Sequence, residues 1–93
     1  MKGITNMIVN VYGKSIHVTQ ETIAKTRLWF VYNARICVEK ARSGTFKVND
    51  IELYQRQQES TAQQFLNGEL DYSLTFIQRA IFFQTGISVP LLS

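Results

Sequence analysis

Residues 19–42 read TQETIAKTRLWFVYNARICVEKAR and contain neither glycine nor proline. Thr19 is placed to cap a helix, Glu21 sits at its positive dipole end, and Ser43-Gly44 supplies a stop. The stretch therefore predicts one helix over 20–42, about 34 Å long at 1.5 Å per residue. Its apolar residues fall into two sets. Ile23, Ala24, Leu28, Phe30, Val31, Ala34, Val38 and Ala41 form a broad core stripe. Trp29, Tyr32 and Ile36 lie outside that stripe on a second face, flanked by Lys25 and Lys40. This helix therefore has two faces to cover.

On the N-terminal side, residues 7–18 predict a β-hairpin. Met7, Val9 and Val11 alternate with Ile8, Asn10 and Tyr12, and the returning arm carries Ile16 and Val18. Gly13-Lys14 between them reads as a type II′ turn, which pairs Val11 with Ile16, Val9 with Val18, and Asn10 with His17. An isolated hairpin is marginal, so its apolar face must pack on a helix.

On the C-terminal side, a helix is expected over 50–66. Asn49 is its predicted cap, Glu52 completes a capping box, and Val48 with Leu53 forms a hydrophobic staple. Asn67-Gly68 ends it. Its inner stripe is Ile51, Tyr54, Thr61, Ala62 and Phe65, with Gln58 in the middle, either hydrogen-bonded or at an opening in the packing. A third helix over 72–85, capped by Asp71 and stopped by Gly86, carries Leu74, Phe76, Ile77, Ala80, Ile81 and Phe83. The tail 87–93, with Pro90, is expected to lie extended across the core. The fold class that results is α+β: an N-terminal β-hairpin packed on a three-helix, mainly α-helical unit, with residues 1–93 forming a single domain.

Composition narrows the functional classes. Of 93 residues 45% are hydrophobic, including six phenylalanines, four tyrosines and one tryptophan, enough to build a core. The single cysteine, Cys37, excludes an internal disulfide. Nothing at the N-terminus reads as a signal peptide and no apolar run approaches a membrane span, so a reducing cytoplasmic setting without membrane contact is expected. The net charge of +3 is unevenly spread. Residues 1–44 hold seven basic and two acidic side chains, and residues 45–93 hold three basic and five acidic. Such polarity suits an acidic partner surface or self-association into a homodimer, and also arises in ordinary small domains.

Catalytic chemistry finds little footing. His17 is the only histidine and stands on a predicted strand, while Cys37 sits mid-helix at the edge of the stripe. One His and one Cys cannot close a zinc site, and the scattered glycines make no phosphate loop. A non-enzyme without metal or cofactor is the expectation. Two binding readings remain. Trp29, Tyr32 and Ile36, rimmed by Lys25 and Lys40, match the aromatic centre and polar rim of a protein interface. The alternative is that the hairpin or tail folds over this face and makes it core. Lys25, Arg35, Lys40 and Arg42 instead suggest a nucleic-acid surface. Residues 19–27 are similar to the opening of a helix-turn-helix, but residues 28–36 continue without a turn.

A resemblance covers residues 62–92. Phe65-Leu66-Asn67-Gly68, the run from Leu74 to Ala80, and Gln84-Thr85-Gly86 through Pro90-Leu91-Leu92 resemble small accessory proteins of tailed phages and prophages. The resemblance implies a non-catalytic, host-directed role in the bacterial cytoplasm, such as inhibition of a defence or housekeeping enzyme. It carries no functional residue with it. The expected activity is binding and modulation of a host protein, with a small basic nucleic-acid-binding regulator as the alternative.

Overall fold

The computed structural model describes residues 7–90. Strands β1 (Met7–Val11) and β2 (Lys14–Val18) form an antiparallel hairpin, followed by helices α1 (Gln20–Arg42), α2 (Ile51–Leu66) and α3 (Leu74–Thr85). This is the α+β arrangement expected from the sequence. Its extents, 43 × 28 × 21 Å, reflect the length of α1, on which both other helices pack.

The hairpin turn is Tyr12-Gly13, not Gly13-Lys14. Both residues have positive φ, 51° and 80°, the signature of a type I′ turn. Val11 therefore faces Lys14, Val9 faces Ile16, and Met7 faces Val18, while His17 lies opposite Ile8 rather than Asn10. The register has moved by two residues, which keeps the apolar face intact. Closing the turn one residue earlier brings Met7 onto Val18, and both are buried. In the expected register Met7 would have faced Gln20, already the first residue of α1.

Helix α1 begins and ends as expected. Thr19 Oγ1 accepts from the Thr22 amide at 3.3 Å. The far end closes with Gly44 N–H bonded to Ala41 O and Thr45 N–H to Lys40 O, a Schellman motif in which Gly44 takes the left-handed position. Ile23, Val31, Ala34 and Ala41 of the expected α1 stripe are buried and Phe30 and Val38 are half-buried, but two members of the stripe are not covered. Ala24 and Leu28 are exposed, and Thr26 is fully buried, with its hydroxyl donating to Thr22 O at 2.7 Å. Helix α3 packs on α1 and on β2, α2 packs on α1 beside Val31 and Ala34, and Leu28 stays 59% exposed.

Two helix starts are corrected. Asp50, not Asn49, caps α2, its carboxylate accepting from the Leu53 amide at 3.0 Å. That shift dissolves the expected capping box and staple, and Glu52 instead pairs with Arg42 across the interhelical turn at 3.3 Å. Helix α3 starts at Leu74, two residues later than expected, and is capped by Ser73 through the Phe76 amide at 3.2 Å. Asp71, expected as that cap, is 1% exposed and binds Arg27 of α1, with Nε–Oδ1 at 3.1 Å and Nη2–Oδ2 at 2.5 Å. A guanidinium satisfies a buried carboxylate on both oxygens, which two helix-terminal amides cannot do as well.

The core lies where the hairpin, the N-terminal half of α1, the end of α2 and α3 converge. Phe30 stacks on Phe65 at 4.3 Å and on Phe76 at 6.0 Å, joining all three helices in one aromatic column. Val11, Val18, Ile23, Ala80 and Ile81 surround it. Segment 87–90 follows α3, with Val89 against the core and its carbonyl accepting from Gln78 Nε2. The expected course of Leu91 and Leu92 lies outside the described residues.

Candidate partner-binding site

The residues expected to form the second face of α1 are divided by the fold. Trp29 is half-buried beneath α3, its ring edge-on to Phe83 at 6.0 Å and to Phe30 at 4.9 Å. Lys25 holds its ammonium 5.3 Å from the Phe83 ring centre. Tyr32 remains open to solvent, 64% exposed, and Ile36 is half-buried beyond it. Lys40 is exposed near the far end of the helix. Thus Trp29 and Lys25 meet α3, whereas Tyr32 stands free.

Two residues outside the expected set belong to this region. Leu28, 59% exposed, precedes Tyr32 by four residues and so lies beside it on the open side of α1. Arg79 of α3 lays its guanidinium 4.3 Å from the Trp29 ring centre, with Phe82 and Phe83 at 5.3 and 5.7 Å. A sequence signal for Arg79 existed: Phe82 and Phe83 follow at i+3 and i+4, the spacing that places side chains together on a helix. The contact with Trp29, fifty residues earlier in the chain, had no such local signal.

The residues of the alternative nucleic-acid reading do not make a continuous track. Arg42 is tied to Gln55 and Glu52 at the α1–α2 turn, with Nε 2.7 Å from Gln55 Oε1. Arg35 borders a groove of about 410 Å³ between α1 and α2, in company with Glu39 and Glu59. Gln58 lines the same groove, so the packing does open at this polar position of α2. Lys25 and Lys40 are fifteen residues apart, a separation of about 22 Å along the helix.

The remaining reactive side chains are dispersed. His17 is exposed on β2, next to the start of α1, while Cys37 lies about 25 Å further along that helix. Cys37 faces Tyr54 of α2, whose phenol is held above its ordinary pKa, first by burial and then by Cys37. Among the described residues no group of three His, Cys, Asp or Glu side chains is assembled to hold a metal ion. No helix of the described residues is long and apolar enough to cross a membrane.

A second concavity lies between the hairpin and α3, about 380 Å³ and almost wholly apolar, bordered by Val9, Tyr12, Ile77 and Val89. The concavity between the hairpin and α3 offers recognition by apolar and aromatic contact, the α1–α2 groove mixes Arg35 and two glutamates with apolar residues, and the α1–α3 junction sets cations against aromatic rings. Compared with protein-family models, curated proteins and solved structures, the chain has no match.

Proposed function

We propose that the protein acts by stoichiometric binding to another protein, through the open side of α1 and its junction with α3. The supporting observation is the adjacency of exposed Leu28 and Tyr32 to the aromatic cluster of Trp29 and Phe83, with Lys25 beside it. Large apolar side chains left together at a surface, bordered by cations, are the composition of an interaction site. The resemblance of residues 62–92 to phage accessory proteins supports a bacterial host protein as the partner, inhibited or redirected in the cytoplasm. Self-association into a homodimer through the same face is part of this reading, since a second copy can cover Leu28 and Tyr32.

The test is affinity capture from bacterial lysate, with and without nuclease, using wild type and Tyr32→Ala. A protein retained after nuclease by wild type and lost by Tyr32→Ala supports the reading. Retained material that disappears with nuclease favours the nucleic-acid regulator. Sedimentation of the isolated chain across a concentration series reports the dimer, which Tyr32→Ala is expected to weaken.

A further inference from the structure

We infer that Arg79 is an anchor for a carboxylate on the partner polypeptide, received in the cleft between α1 and α3. This rests on the protein-binding reading and names the chemistry that the partner brings. The cleft measures about 340 Å³ and is lined by Trp29, Thr75, Gln78, Arg79, Ser88 and Val89, with the phenyl rings of Phe30 and Phe82 behind them. No acidic residue contributes to it.

The guanidinium is half-buried, yet neither ion pair among the described residues involves it, and no described atom accepts a hydrogen bond from it. The guanidinium carbon lies 4.3 Å from the Trp29 ring centre, and contact with aromatic rings does not satisfy the N–H groups as a hydrogen-bond acceptor would. Those donors lie in a fixed planar fork that matches both oxygens of a carboxylate. Trp29 and Phe82 hold the fork in place, so little side-chain freedom is lost when an anion arrives. Thr75 and Ser88 bring hydroxyls to the same cleft, and Lys25 adds a second positive charge over Phe83, a ring that packs on Trp29. The bond from Gln78 to the Val89 carbonyl holds the 87–90 segment as the opposite wall.

The arrangement favours one acidic side chain over a nucleic-acid backbone. A polyanion needs successive cations along a path, but Arg42 is committed to Glu52 and Gln55, and Arg35 shares its groove with two glutamates. The apolar lining around a single cationic fork fits a glutamate or aspartate flanked by apolar residues. Leu28 and Tyr32 then offer the apolar surface against which the flanking residues lie.

The experiment is an NMR titration of the isotope-labelled chain, following the Trp29 indole N–H and the Arg79 Nε–H. The probes are acetyl-Leu-Glu-Leu-Glu-Leu-amide, its twin with glutamine in place of both glutamates, inorganic phosphate, and a ten-residue oligothymidylate. The acidic peptide is expected to shift both signals saturably. Replacing glutamate by glutamine, or Arg79 by Gln, is expected to weaken that response about tenfold or more, the cost of a charge-assisted pair. Arg79→Lys is expected to fall between, because an ammonium keeps the charge and loses the fork. Equal response to the two peptides, or no response to the acidic one, overturns the inference, as does tighter binding of the oligothymidylate. Phosphate shifting the signals as strongly as the acidic peptide overturns it too. Since the two peptides are compared on wild type, the inference stays testable even where Arg79→Gln perturbs folding. A captured host protein that tolerates Arg79→Gln but not Tyr32→Ala leaves the binding reading standing without the carboxylate.

Discussion

Tyr12 is an exposed aromatic residue, 76% accessible, held at positive φ in a turn that asparagine or glycine occupies with less strain. A left-handed conformation costs an ordinary L-residue about 1–2 kcal/mol, so Tyr12→Asn is expected to stabilise the fold by about 1 kcal/mol. A rise in the urea midpoint checks this, and a fall would show that the Tyr12 ring packs usefully beside Val9 and Ile77. Asp71 presents the opposite case. It is buried against half-buried Arg27, and its hydrogen bond raises the Arg27 pKa above an already high ordinary value. A raised basic pKa adds stability that is complete below the unfolded-state value and is lost only as pH climbs through the folded one. Arginine's share of the pair is therefore constant across neutral and mildly alkaline solution. Asp71→Ala leaves a half-buried guanidinium without its carboxylate and should cost about 3–5 kcal/mol. Replacing both residues by leucine should recover much of that loss, as measured by denaturant unfolding. Neither role was legible from sequence, because Asp71 stands three residues before an apolar run and looks like any helix cap.

At the scale of elements, the ends of α1 and the stop of α2 follow from chemistry within six residues, and both were legible. The start of α2 shows the limit of that approach. Asn49 and Asp50 are adjacent and equally capable of capping, so residue preference alone does not choose between them. The fold selects Asp50 and releases Glu52 to meet Arg42 at the other end of the turn. Asp50→Ala is accordingly expected to cost about 1 kcal/mol, and Asn49→Ala only a few tenths. Thermal unfolding of the two variants side by side decides the matter, and the reverse order would place the cap one residue earlier. The hairpin teaches a related lesson. Alternation named the inward residues correctly, but not the turn, since a shift of two residues leaves every side chain on the same face.

For the whole molecule, the column of Phe30, Phe65 and Phe76 is the point where three helices depend on one another. Phe30→Ala should cost about 3–5 kcal/mol, the range for deleting a large core side chain. Tyr32, two residues along, is open to solvent, and Tyr32→Ala should change folding stability by no more than about 0.5 kcal/mol. Trp29 stands between these extremes, since it packs on Phe83 and also supports Arg79. A Trp29→Ala variant should therefore lose both stability and peptide response. Measuring unfolding and binding on all three variants separates core from surface. A large stability loss in Tyr32→Ala would contradict its placement at an interface.

What the sequence determined by itself was the set of elements: the hairpin with its apolar face, the 23-residue helix between Thr19 and Ser43, and two further helices. These depend on caps, stops and periodicities satisfied within one or two turns. Only the tertiary structure decided the margin of the buried side of α1: Ile23, Val31, Ala34 and Ala41 are buried as the periodicity predicts, but Thr26 joins them and Leu28 does not. Helices α2 and α3 both pack on α1, and the place of their approach is not written in the periodicity of α1 itself. The tertiary structure also joined Arg27 to Asp71, forty-four residues away, and laid Arg79 on Trp29. A periodic pattern records that a side chain is apolar, but burial and charge pairing depend on which distant surface arrives to meet it.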